Sequence, residues 1–176
     1  YLSGKNYKFS DYMNGNIQEI NKSLPSIDDL GLHLSTIFTE NRLKQYIELR
    51  SMDTCGWNCI CAGPAFFTGL LYGNLDEALE FISKWKKEDL LKAYKDAPMK
   101  GLDTILMGKD MIYWISNLLK IAKKGLEKRD FIGKSGTNET KYLEHLNKII
   151  NNKETVASHV INKFSKFQNL EDLYDK

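Results

Sequence analysis

The sequence has little of what would announce a function by composition alone. Its 25 basic and 23 acidic residues, among 176, leave a net charge of only +2. So small a surplus gives no electrostatic case for nucleic acid or an anionic membrane as a partner. Long apolar runs are lacking as well. The longest, around Ala62–Tyr72 and Met111–Leu119, are too short to span a bilayer. No apolar block follows the polar opening Tyr1-Leu2-Ser3-Gly4-Lys5, so no secretory signal is read there. Internal repeats and low-complexity segments are not visible. Cysteine is scarce: Cys55, Cys59 and Cys61 are the only three. An odd number does not suit a secreted disulfide framework. The spacing C-x3-C-x-C lacks the paired CxxC halves of a zinc site, and neither His33 nor His145 is near in sequence. Reduced thiols beside a buried turn, in a cytoplasmic protein, are therefore expected. The chain opens on Tyr1 rather than Met, which reads as a fragment of a longer polypeptide.

What is present suits a folded domain. With 42% hydrophobic, 27% charged and 11% aromatic residues, disorder of the whole chain is excluded and one domain with a real core is expected. Residues 1–31 read as an extended start, a polar helix or loop, and the turn-rich Ser23-Leu24-Pro25-Ser26-Ile27-Asp28-Asp29. His33-Leu34-Ser35-Thr36-Ile37-Phe38 is rich in β-formers, and residues 42–50 alternate. Two strands joined by a turn at Thr39-Glu40-Asn41 are predicted. From Pro64 the signal is helical. Pro64 suits the first turn of a helix running to Tyr72, with Gly73 as its stop. Asn74-Leu75-Asp76-Glu77 resembles a capping box and opens a helix to about Lys84. Glu88–Ala97 is a further helix, ended by Pro98. The clearest helix covers 110–129, where Ile112, Ile115, Leu119, Ala122 and Leu126 make one apolar stripe. Two last helices carry the stripes Leu143/Leu146/Ile150 and Val156/Val160/Phe164.

The segment 42–50 carries the chemistry. Alternate side chains of a strand share a face, so Arg42, Lys44, Tyr46, Glu48 and Arg50 fall on one side. Leu43, Ile47 and Leu49 fall on the other, a core face, with the polar Gln45 the exception. A row of cations, a phenol and a carboxylate suits polyphosphate with a divalent metal. Glu supplies a hard oxygen ligand for Mg²⁺, and Arg forks onto phosphate oxygens. The same pattern also describes an antiparallel strand with one solvated face. Trp57, Phe66 and Phe67 are read as core, His33 as strand-end packing, and Asp53 as a loop cap or a support to the row.

The run His33-Leu34-Ser35-Thr36-Ile37-Phe38-Thr39-Glu40-Asn41-Arg42-Leu43-Lys44-Gln45-Tyr46-Ile47-Glu48-Leu49-Arg50 resembles the signature of the glutamate–cysteine ligase family of the plant and proteobacterial type. The likeness continues through Asp53, Trp57 and Cys61-Ala62-Gly63-Pro64-Ala65-Phe66-Phe67-Thr68-Gly69-Leu70-Leu71-Tyr72. It covers nearly all of this chain and the C-terminal part of the family's. The resemblance implies an α+β fold: a glutamine synthetase-like antiparallel sheet, only its C-terminal strands present here, followed by a mostly α-helical region. In those terms 1–53 would be strands of the catalytic sheet and 54–176 a helical region packing on the same domain, truncated at its N-terminus.

The resemblance further implies ATP-dependent ligation of L-glutamate, through γ-glutamyl phosphate, to L-cysteine, the first step of glutathione biosynthesis. ATP and Mg²⁺ would be the cofactors. Glu48 would be a Mg²⁺ ligand and Arg50 the catalytic contact to nucleotide phosphate, with Arg42 and Lys44 weaker candidates for substrate carboxylate or phosphate. The partners would be glutamate, cysteine, ATP and the missing N-terminal part of the same chain, and the fragment alone would be inactive. Two other readings stay open at this point. One is a non-catalytic helical interaction or regulatory domain with an incidental charged strand. The other is a related carboxylate–amine ligase with a different amine substrate.

Overall fold

A computed structural model of the chain describes residues 4–20, 23–53 and 55–164. The expected extended start at 1–3 lies outside them. The fold is α+β, mostly helical, with two small antiparallel sheets of two strands each among the described residues. The chain divides into two compact units, Tyr1–Met52 and Asp53–Lys176.

In the first unit, α1 (Phe9–Met13) and α2 (Ile27–Ser35) precede a hairpin of β1 (Asn41–Leu43) and β2 (Ile47–Leu49). Helix α2 overturns the strand expected over 33–38. Its cause lies upstream, in a capping box. The Asp29 N–H donates to Ser26 Oγ at 3.2 Å, and the Ser26 N–H donates to Asp29 Oδ2 at 2.7 Å. Two orphan amide donors are thereby satisfied, and Asp28 and Asp29 complement the positive end of the helix dipole. The helix so started takes in His33, Leu34 and Ser35, while the β-formers Ile37 and Phe38 fall beyond its C-cap Thr36. His33 is a packing residue, but on α2: its ring stacks on Phe9 with centroids 4.3 Å apart.

The capping box makes α2 pH-sensitive. Hydrogen bonds from the Ser26 backbone, then from its side chain, hold the Asp29 carboxyl below the usual Asp range. A depressed folded pKa contributes stability that is complete above the unfolded value, about 3.9, and is lost as pH falls through the folded one. Hydrogen exchange should therefore show α2 amides losing protection below about pH 4. Ser26→Ala should speed their exchange about fivefold at neutral pH, as expected for a lost N-cap, and flatten the pH dependence.

The strand expected to run unbroken from 42 to 50 instead reverses at Lys44-Gln45-Tyr46, and Thr39-Glu40-Asn41 is not the turn. The Lys44 N–H donates to the Tyr46 carbonyl at 2.9 Å and closes the reversal. Gln45, the one polar residue among the odd positions, is its tip. The register pairs Asn41 with Leu49, Arg42 with Glu48 and Leu43 with Ile47. Residues directly opposite in an antiparallel pair share a face, so the reversal preserves the sidedness of the even positions. The odd face is not a core in this unit: Leu43 is 82% and Ile47 61% exposed. A two-stranded ribbon has too little surface to bury its own apolar side.

The second unit is built around one long helix. Its elements are α3 (Ala62–Thr68), a π-helical turn (Gly69–Gly73), α4 (Leu75–Ile82), α5 (Lys87–Lys100), the hairpin β3 (Ile105–Leu106) and β4 (Lys109–Asp110), α6 (Met111–Arg129), α7 (Glu144–Asn152) and α8 (Val156–Phe164). Helix α6 begins where Asp110 accepts from the Tyr113 N–H at 2.8 Å, and it contributes to three apolar clusters. Leu119 and Leu126 pack with Ala65 and Leu143; Ile121 and Ala122 with Leu70 and Ala78; Trp114 with Ala93 and Leu106. Trp114 also donates from Nε1 to the Leu106 carbonyl at 2.8 Å, so its buried polar edge is satisfied. Lys124 reaches Glu77 at 2.8 Å and ties α6 to the start of α4.

Several expectations for this unit need correction. Helix α5 runs past Pro98 to Lys100, because proline in the last turn forfeits a single hydrogen bond, and the stop is Gly101 at φ +52°. The β3–β4 hairpin turns on Met107 (φ +49°) and Gly108 (φ +74°), the left-handed pair of a type I′ turn. The sequence does not signal this turn, because Met stands where Asn is usual; here the Met107 side chain packs on the Trp114 cluster. Trp57 is 87% exposed rather than core. The cysteines are not all reduced: Cys55 and Cys59 form a disulfide across a turn that brings their Cα atoms to 5.9 Å, and Cys61 is free and exposed. The stripe Val156/Val160/Phe164 on α8 is exposed, whereas Leu146 and Ile150 of α7 pack against the core. Among the described residues no helix is long and apolar enough to cross a membrane.

Candidate active site

The charged face of the β1–β2 hairpin gathers the residues singled out from sequence. Arg42 and Glu48 stand directly opposite, and Arg42 Nε donates to Glu48 Oε2 at 2.6 Å. Their side chains are 30% and 33% exposed, so the pair is partly sheltered yet open to a ligand. The Arg42 hydrogen bond holds the Glu48 carboxyl below the usual Glu range, helped by the charges of Arg42, Lys44 and Arg50. Glu48 is thus ionised at neutral pH and surrounded by three cations. At the end of β2 the Arg50 N–H donates to the Glu40 carbonyl at 2.9 Å, which continues the hairpin pairing by one residue. The Arg50 guanidinium lies 5.1 Å over the Phe38 ring. Its Nη1 is buried and has no hydrogen-bond acceptor in the described structure. Lys44 Nζ sits 5.9 Å from the Tyr46 ring at the turn.

A buried guanidinium nitrogen without an acceptor is costly, and such a group is normally matched by an anion or a carbonyl. Arg50, steadied by Phe38, is therefore a donor looking for an acceptor. Phe38 was missed from the sequence, since it precedes the alternating run and only the folded hairpin brings its ring under Arg50. Asp53 lies exposed and outside this unit. Among the described residues no cluster of three or more His, Cys, Asp or Glu is arranged to hold a metal. Glu48 supplies a carboxylate on this face that could serve as a Mg²⁺ ligand, since Mg²⁺ is commonly held through few carboxylates, with waters and substrate phosphates completing its shell. Among the described residues an open concavity lies beside α6 and α7, lined by Lys123, Thr137, Asn138, Thr140 and Lys141 among others. None of the four sequence-predicted residues lines it.

Comparison with known proteins gives a family for the chain. The model of glutamate–cysteine ligase family 2 matches residues 10–169. The chain belongs to that family. Among its relatives, the chloroplastic glutamate–cysteine ligase of Solanum lycopersicum is 32% identical over 163 residues, covering 92% of this chain and 30% of the relative. That of Medicago truncatula is 34% identical over 133 residues, or 74% of this chain and 26% of the relative. That of Arabidopsis thaliana is 30% identical over 167 residues, or 94% and 31%. The chain therefore spans less than a third of the length of these relatives. The matched region takes in the whole hairpin with Arg42, Lys44, Glu48 and Arg50.

Proposed function

We propose that this chain supplies part of the active site of an ATP-dependent glutamate–cysteine ligase, in which the γ-carboxylate of L-glutamate is phosphorylated and the L-cysteine amine then displaces phosphate. The observation that carries the reading is the hairpin face itself: one ionised carboxylate, three cations and an Arg50 nitrogen without an acceptor. Transfer of a phosphoryl group needs positioning and neutralisation of spreading negative charge more than it needs covalent chemistry from the protein. Arg50 forks onto a phosphate oxygen, where its unmatched Nη1 finds an acceptor. Arg42 and Lys44 offer the further positive charge that a second phosphate or the glutamate carboxylate requires. Glu48 would hold Mg²⁺, which when bound draws charge from the phosphate oxygens. The exposed odd face, Leu43 and Ile47, suits a hairpin that is one part of a larger antiparallel sheet of the glutamine synthetase kind, covered from behind.

The reading is tested by assaying ATP-dependent γ-glutamylcysteine formation. A full-length polypeptide containing this sequence should turn over, whereas the purified 176-residue chain should not, because a two-stranded face cannot enclose three substrates. Full-length protein that hydrolyses no ATP with glutamate and cysteine would end the proposal. One that accepts glutamate but prefers another amine would move it to a different ligase.

A further inference from the structure

We propose that Arg42 is the counter-ion that guards Glu48: it holds the carboxylate against free divalent cations and yields it when the cation arrives bound to a polyphosphate. This builds on Glu48 as the ligand to the nucleotide's metal ion, and it concerns the order in which that site can be filled. Arg42 is not merely near Glu48. It is its cross-strand partner in the register, and its Nε donates to Oε2 at 2.6 Å, the geometry of a charge-assisted bond. Beside the pair stand Lys44 at the turn and Arg50 at the end of β2, each close enough to bias Glu48 electrostatically. Glu40, paired through its carbonyl to the Arg50 N–H, is the other acid at this end of the hairpin.

Counting those five groups, the even face carries one net positive charge. A free dication approaching Glu48 must displace Arg42 or share the carboxylate with it, and do so against Lys44 and Arg50. A metal–triphosphate complex reverses both terms. It is net negative, so the cations attract it, and it presents oxygens that accept from Arg42 as that side chain leaves the carboxylate. Arginine suits the exchange because its planar fork matches phosphate as well as carboxylate, whereas lysine offers only a point charge. Arg50 Nη1, without an acceptor, is a second donor for the same anion.

The test is Mn²⁺ binding to the full-length polypeptide, read by electron paramagnetic resonance, with and without inorganic triphosphate. Wild type should bind free Mn²⁺ weakly, and triphosphate should tighten the binding by roughly tenfold or more. Arg42→Gln should tighten free-Mn²⁺ binding about fivefold, the scale of one exposed ion pair, and shrink the triphosphate effect. Arg42→Met, which keeps the aliphatic stem, should do the same if the amide disturbs the hairpin. Arg42→Lys should stay near wild type for free Mn²⁺. If both neutral variants leave free-Mn²⁺ binding unchanged or weaker, with wild-type circular dichroism, the guarding role is wrong. Glu48→Gln separates that failure from a deeper one. It should abolish Mn²⁺ binding, and so restore the free-ion signal, in every background; if it does not, the metal is not on Glu48, and the ligand assignment fails together with the inference.

Discussion

Gly125→Ala should destabilise the second unit by about 3 kcal/mol or more, the upper range for overpacking a close-packed interior. The added Cβ would fall on the Gly69 carbonyl group, 2.8 Å from its carbon and nearer still to its oxygen. Gly69 in turn faces Ala122, and Gly73 faces the Gly125 carbonyl. Three glycines and an alanine thus let the π-helical turn and α6 touch backbone to backbone. A methyl group has no flexible neighbour to push aside there. Both helices must separate, opening the clusters on Leu70, Ile121 and Ala122 that the contact closes. Urea unfolding followed by tryptophan fluorescence reads this unit alone, because Trp57, Trp85 and Trp114 all belong to it. Gly31→Ala is the contrast. Gly31 lies inside α2 with nothing within 4 Å of a built Cβ. There the same substitution should stabilise the helix by about 0.5–1 kcal/mol, through reduced backbone entropy. Equal midpoints for Gly125→Ala and wild type would refute the close approach.

Turnover in the full-length polypeptide should fall by roughly 10²–10³ on Glu48→Gln, the usual cost of one preorganised charge-stabilising group. The change keeps the size of the side chain and the acceptor for Arg42 but removes the charge that a hard cation requires. The apparent Mg²⁺ requirement should rise with it. Arg50→Lys should be comparably harmful although charge is conserved. Lysine cannot present the planar fork, and the buried Nη1 is the group it lacks. Leu49→Met, on the opposite face, provides the control: near-normal kinetics and a stability change below about 1.5 kcal/mol, as for other volume-conserving swaps. The expected result is therefore sided, with catalysis damaged at even positions and spared at odd ones. Near-normal turnover for both Glu48→Gln and Arg50→Lys at limiting Mg²⁺ and ATP would reduce the hairpin face to a solvated edge.

The sidedness of the hairpin and the course of α6 were legible in the chain because each follows from a local period. Alternation of two places Arg42, Glu48 and Arg50 together in a straight strand. It does so equally in this hairpin, because its three-residue reversal sets a register that pairs even positions with even ones and direct cross-strand partners share a face. Spacings of three and four place Leu119, Ala122 and Leu126 together, and all three are buried. Where a local signal competed with another, the period misled. The residues after His33 favour a strand, yet the cap at Ser26 starts a helix that ends only at Ser35. Gln45 broke the alternation and was the sign of the reversal.

Other features belong to the tertiary structure alone. Gly73 reads in sequence as a helix stop, but its lack of a side chain is used against Gly125, fifty-two positions away. Nothing local distinguishes the two roles, because hydrogen in place of Cβ serves a turn and a close contact equally. The ring of Phe38 under Arg50, the Arg42–Glu48 bond and the Cys55–Cys59 disulfide are likewise distances, set by how turns bring segments together. Residue type and period decide which groups share a face. Which of those groups touch is decided by turns and packing, because contact energies act through space and carry no fixed spacing along the chain.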